Sequence, residues 1–205
     1  MSIKIHEKNI DINDLASFGD IPAVNIELTK IPVDVQPNKY IKNAYANKEY
    51  GQIKSVDVKL ASDKERLYVN LTFADSEIPN TEFQDSVGIF FCSQDGQSDS
   101  PVTIGSLERP TLLWQWKNRT ELQKNLSQAK DLESFGPGVF IPNTNSGSVE
   151  VVANGEVVNG KWNVIISGDL LAVQKAKKIG IVAWDGSNNE RAGIGSVTSS
   201  WIEVD

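Results

Sequence analysis

Short runs of apolar or alternating residues recur along this chain, separated by clusters of Gly, Asn, Asp and Ser. Ala23–Leu28 comes first, followed by Ile31–Pro37 as an extended segment. Gln52–Leu60 alternates, with Val56, Val58 and Leu60 in phase and Ile53 out of it, which is the period-2 pattern of a half-buried strand. The polar turn Ser62–Glu65 joins it to Leu67–Phe73. Ser86–Cys92 is the most apolar run, so a central strand is predicted there. Val149–Val152 and Glu156–Val158 flank Asn154-Gly155, a strong hairpin signal, and Lys161–Ser167 follows a second tight turn at Asn159-Gly160. Ile179–Trp184 has the length and composition of a buried strand, and Ser196–Val204 alternates again as a last one. The pattern predicts an all-β fold, an antiparallel two-sheet sandwich in one domain spanning 1–205, with residues 1–20 as an extended amino-terminal arm.

One segment breaks the two-residue rhythm. Leu122, Leu126, Ala129 and Leu132 recur at three- and four-residue intervals, so a helical insertion is predicted over 119–135. Asn118 or Thr120 would cap its start, and Gly136-Pro137-Gly138 would stop it. Its leucine stripe would pack on the sandwich or present a face to a partner.

Composition narrows the function classes. A chain of 205 residues with 40% apolar content can bury a full core. Its net charge of −7 argues against a nucleic-acid partner, which needs clustered Lys and Arg. The densest basic run, Lys175, Lys177 and Lys178, reads as a solvated turn. The single cysteine, Cys92, excludes an internal disulfide and a cysteine-cluster metal site. No apolar run approaches the roughly 18 residues of a membrane span, and the start MSIKIHEKNIDIND lacks a signal-peptide core.

Candidate chemistry concentrates between Trp184 and Arg191. Asp185, Gly186, Ser187 and Asn188 are turn-formers whose side chains bond their own backbone, and the charged pair Glu190 and Arg191 follows. Asp185 and Glu190 could act as an acid pair, or with Asn188 could hold calcium. In the plainer reading, Asp185 bonds turn amides and Glu190 pairs with Arg191 or another surface base. The only histidine, His6, lies in the polar start of the chain, so no nucleophile and base set is visible and an enzyme is not expected. Trp114, Trp116, Trp162, Trp184 and Trp201 could form a clamp for sugar rings, or could be core.

The stretch Ile179–Trp201 resembles a pattern of the haem b gamma subunits of type II dimethyl sulfoxide reductase-like molybdenum enzymes, among them ethylbenzene dehydrogenase, chlorate reductase and nitrite oxidoreductase. Trp184, Asp185, Gly186, Ser187, Asn188, Glu190, Arg191, Gly193, Ser196, Val197 and Trp201 carry it. Pro110–Lys117 is similar to that family's P-V-N-I-W-x-W-K segment, and Gly160–Ile166 to its G-x-W-x-V strand. The resemblance implies a sandwich like that of carbohydrate-binding modules of family nine. It also implies iron held by a methionine and a lysine. Ile104 and Gly195 stand at those two positions here, and neither offers a lone pair. The one methionine is Met1. His6, Cys92 or one of the many lysines could substitute, and the first two read more simply as a solvated terminal histidine and a buried small hydrophobe.

The expectation is therefore that haem b is absent. A dry cleft of roughly 300 Å³ left empty would cost on the order of 7 kcal/mol, so either bulky side chains such as Ile104, Leu112 and Ile194 are expected to fill it or its walls to have closed. The implied role is a haem-free accessory or scaffold subunit that associates with molybdenum-enzyme subunits and with itself. By resemblance it would sit outside the cytoplasm or in the lumen of a respiratory organelle. The alternatives are a haem b electron carrier with other ligands and a carbohydrate-binding module.

Overall fold

The computed structural model describes residues 1–75, 83–92, 100–119, 127–145 and 149–205. In its first half it has strands β1 (Ser2–Ile3), β2 (Ile5–Glu7), β3 (Val24–Glu27), β4 (Thr29–Lys30), β5 (Ser55–Ser62), β6 (Arg66–Ala74) and β7 (Ser86–Phe91). The second half has β8 (Thr111–Lys117), β9 (Ala129–Ser134), β10 (Phe140–Pro142), β11 (Val152–Val158), β12 (Lys161–Asp169), β13 (Lys178–Trp184), β14 (Ser196–Val197) and β15 (Ile202–Val204). Two short helices, α1 (Lys39–Tyr45) and α2 (Leu171–Ala176), lie between strands.

The strands form two sheets. The larger runs β1-β15-β13-β7-β8-β9-β10, with β14 and β4 attached beside β13. The smaller runs β11-β12-β6-β5-β2, with β3 also on β5. Pairing is antiparallel except for β1 with β15 and β2 with β5. The fold is an all-β sandwich.

Period-2 alternation builds the core directly. Val56, Val58 and Leu60 of β5, Leu67, Val69, Leu71 and Phe73 of β6, and Trp162, Val164 and Ile166 of β12 line one wall. Val87, Ile89 and Phe91 of β7, Trp114 and Trp116 of β8, and Ile179, Ile181 and Ala183 of β13 line the other. Trp116 and Trp162 meet between the sheets with ring centroids 4.8 Å apart, and Phe91 meets Trp114 at 4.6 Å. Each such buried side chain stabilises the fold by about 1.5–3 kcal/mol.

A second apolar layer covers the outer face of the larger sheet: Ile31, Phe90, Ile104, Leu113, Leu132, Val182, Trp184 and Val197. It explains why β7 is buried at every position and lies centrally. A third cluster, Ile10, Phe18 and Ile21 against Ala61, Tyr68 and Ile165, covers the smaller sheet.

Several sequence expectations are corrected. The predicted helix over 119–135 is strand β9 over Ala129–Ser134, while residues 120–126 lie outside the described residues. Leu132 and Ser134 alternate inward there, and β9 pairs the backbone of β8, which a helix would have left open. Asn154-Gly155 is not a turn but the middle of β11. A Cβ on Gly155 would lie 2.8 Å from the Trp116 ring, so this glycine serves close packing. The turn is at Asn159-Gly160, as predicted, with φ of 53° and 74°. Residues 1–20 do not extend as an arm: β1 joins one sheet, β2 joins the other, and Ile10 and Phe18 pack against Ala61, Tyr68 and Ile165 of the smaller sheet. Val33–Val35 is a single 3-10 turn rather than extended chain, and the last strand divides into β14 and β15.

Candidate functional site

Two neighbouring regions carry the positions singled out in the sequence. The first surrounds Ile104. Pro101–Thr103 makes one 3-10 turn and delivers Ile104 in the left-handed region, φ 49° and ψ 45°, which a β-branched residue rarely adopts. Its carbonyl accepts hydrogen bonds from the hydroxyls of Ser134 and Thr111, and its side chain is fully buried in the second apolar layer with Trp184 and Phe90. The two hydroxyls and the packing together hold the strained conformation.

Gly195 lies against Trp184. A Cβ there would sit 2.6 Å from the Ala183 carbonyl oxygen and 2.7 Å from Trp184 Cδ1. The Trp184 indole is fixed by its Nε1 donating to the Ala192 carbonyl at 2.9 Å. No side chain of any kind fits at position 195 without moving the strand. Leu112, expected in this layer, points into the sandwich core, and its neighbour Leu113 takes the place. Ile104 and Ile194 are buried.

These residues do not fit a haem bound through positions 104 and 195. Ile104 has no donor atom, Gly195 has no space for one, and apolar side chains occupy the ground between. An open surface hollow of about 470 Å³ lies beside Ile104, with Val35, Thr103, Leu107, Phe135 and Val139 in its walls. None of its lining residues is a His, Met, Cys, Tyr or Lys. Cys92 is buried at the end of β7, and His6 is paired within β2 opposite Ala61.

The second region is the end of the sandwich where β6, β7 and β13 meet. Asp75 follows β6, Asp85 precedes β7 and Asp185 follows β13, and their carboxylate oxygens lie within 4.8 Å of one another. Asp85 is fully buried; it accepts Trp162 Nε1–H at 2.9 Å and the Gly186 amide at 2.8 Å. Burial, and then the charge of Asp75, push its pKa up to about 7. The rise favours the protonated form of Asp85, which lowers the repulsion between the two carboxyls. A hollow of about 370 Å³ opens here, between Gln52, Asp75, Asp185 and Asn188. Three carboxylates are hard oxygen donors of the kind a divalent cation takes.

The turn after β13 behaves as the plainer reading expected at Asp185, which accepts Ser187 Oγ–H at 2.6 Å and the Asn188 amide at 3.1 Å. Glu190 differs. It is 1% exposed and does not pair with Arg191. Its Oε1 accepts the amides of Gly51 and Gln52 and the Asn188 side chain, and its Oε2 accepts the Asp185 amide. Burial raises its pKa, and these hydrogen bonds oppose the rise. Arg191 is exposed and lies 3.8 Å over the Phe83 ring. Asp185 Oδ1 and both oxygens of Glu190 are therefore engaged in holding the turn.

Sequence reasoning missed Asp75 and Asp85. Each is a lone acid at the end of an apolar strand, and that adjacency was the only available signal. The tryptophans make no sugar clamp: Trp114, Trp116, Trp162 and Trp184 are all buried, and Trp201 packs edge-on against Phe90. Among the described residues no helix is long and apolar enough to cross a membrane.

No protein-family model matches the chain. It is 23% identical over 199 residues to a Haloferax mediterranei protein named as a respiratory nitrate reductase heme subunit, an alignment covering 90% of this chain. The chain spans 64% of that relative's length. A family 9 carbohydrate-binding module from Caldicellulosiruptor kristjanssonii, solved in complex with glucose, aligns with all of this chain and 96% of its own, at 13% identity and a TM-score of 0.46. In sequence this chain is thus distantly similar to a haem subunit of a respiratory reductase.

Proposed function

We propose that this chain is a haem-free, non-enzymatic accessory subunit that promotes assembly of a molybdenum oxidoreductase complex of the nitrite oxidoreductase type into higher-order, tubular structures. The observation that carries the reading is the state of positions 104 and 195. The first is a buried Ile and the second a Gly hemmed in by Ala183 and Trp184, so the two sites where the resemblance expects iron ligands supply neither donor nor room. The likeness to a protein named as a reductase haem subunit supports a place beside such an enzyme, and the occupied Asp185 and Glu190 support a structural rather than chemical use of the turn.

Mixing the purified chain with the molybdenum enzyme, followed by sedimentation and electron microscopy, tests the assembly role. Larger particles, tubes among them, are expected as the chain approaches stoichiometric amounts. Unchanged particle size at every ratio contradicts it. The second reading, an electron carrier with haem b on other ligands, is favoured by the name of the Haloferax relative. A Soret band in the protein as isolated would establish it.

A further inference from the structure

The strands that end the two sheets differ in length. At the borders, β1 has two residues, β2 and β10 three, and β3 four, and β10 finishes on Pro142. Short edges and a terminal proline are ways of preventing strand addition. β11 has seven residues, contains neither Lys nor Pro, and among the described residues pairs only with β12. Val157 and Val158 on it are 36% and 43% exposed.

The hairpin geometry says which backbone groups of this edge face outward. Asn159 and Gly160 both have positive φ, the type I′ turn, and Val158 faces Lys161 across it. In such a hairpin the pair flanking the turn exchanges both backbone hydrogen bonds, and every second pair beyond it does the same. Val152, Asn154, Glu156 and Val158 therefore bond inward to β12. The N–H and C=O groups of Ala153, Gly155 and Val157 point away from the sheet.

We propose that this edge joins two copies of the chain by antiparallel strand pairing about a two-fold axis at Gly155. The proposal rests on the assembly reading and deepens it by naming the surface through which copies meet. In this register Gly155 faces Gly155 of the second copy, and Ala153 faces Val157, so the outward backbone groups meet one another and form about six hydrogen bonds. On the outer face of the extended sheet Val152 meets Val158 and Asn154 meets Glu156. Apolar residues meet apolar ones, and the carboxylate meets an amide. Moving the axis to Asn154 sets Val152 against Glu156, and moving it to Glu156 sets that carboxylate against itself. The order Val-Ala-Asn-Gly-Glu-Val-Val thus selects one axis.

Sedimentation velocity on the full chain, over a wide concentration range, is expected to show a concentration-dependent dimer. The double variant Val152→Glu, Val158→Glu places carboxylates opposite each other across the axis, and is expected to associate at least about tenfold more weakly. The double variant Val152→Lys, Val158→Lys is expected to do the same. An equal mixture of the two restores the dimer, because each carboxylate then meets an ammonium. Val152 and Val158 lie outside the sandwich core, and matching circular dichroism and melting curves check that the variants fold. A wild-type chain that stays monomeric throughout overturns the proposal, as do variants that dimerise like wild type. In the latter case self-association survives through another surface. A dimer abolished and restored as described, in a protein that leaves the molybdenum enzyme's particle size unchanged, establishes the edge and sinks the assembly reading instead.

Discussion

The regions on either side of Trp184 bury their contents in opposite ways. Around Ile104 and Gly195 the buried side chains carry no charge, being apolar or, at Thr111, Ser134, Ser196 and Gln36, neutral and polar, and the strained Ile104 is clamped through its carbonyl. At the sandwich end, Asp85 and Glu190 are buried carboxyls, each held by several donors. The contrast shows what the conspicuous Trp184–Arg191 pattern does in this molecule. Asp185, Gly186, Asn188 and Glu190 tie the turn to Gly51, Gln52 and Asp85, so they hold the fold together. Ile104 and Gly195 take no side-chain part in that network.

The carboxylate side should be the more sensitive to loss of a single group. Glu190→Ala leaves four donors without their acceptor and is expected to cost about 4 kcal/mol in chemical denaturation, with Glu190→Gln costing less. A loss under about 1 kcal/mol would place those amides in water rather than in the core. On the apolar side, Ile104→Ala is expected to cost about 3 kcal/mol through the cavity it leaves. Gly195→Ala should cost about 2 kcal/mol through overpacking against Ala183 and Trp184. If Gly195→Ala is neutral, there is room at that position and it is not closed to a side chain.

The regions also differ in their response to pH. Asp85 binds its proton more tightly in the folded chain, with a pKa raised to about 7, than in the unfolded one. Its contribution is fully present below about pH 4 and is lost as pH rises towards 7. Other groups aside, stability should fall by on the order of 2 kcal/mol between pH 5 and pH 8. Asp85→Asn, which keeps an acceptor and removes the charge, should flatten that slope, whereas Ile104→Ala should lower the whole curve without changing its shape. A slope unchanged in Asp85→Asn would assign the proton elsewhere.

The sandwich core was legible because it obeys a local rule. Alternation in β5, β6 and β12 marks the inward residues directly, and the unbroken run of β7 marks a strand covered on both faces. β9 was misread because Ala129 and Leu132 happen to continue a helical spacing, while the open edge of β8 that recruits this segment lies in another part of the chain. Asn154-Gly155 was misread because the demand for a glycine comes from the distant Trp116 ring. The site divides in the same way. Asp185 bonds within its own turn and could be read from four residues. Glu190 reaches Gly51, 139 positions away, and Gly186 reaches Asp85 across 101, and no pattern along the chain announces either contact.

The most direct test of the haem-free reading is a titration of the purified chain with haemin under reducing and oxidising conditions, followed in the visible region. The spectrum should remain that of free haemin, with no sharpened Soret band and no stoichiometric break. A saturating, stoichiometric Soret shift with the narrow bands of a six-coordinate iron would contradict it.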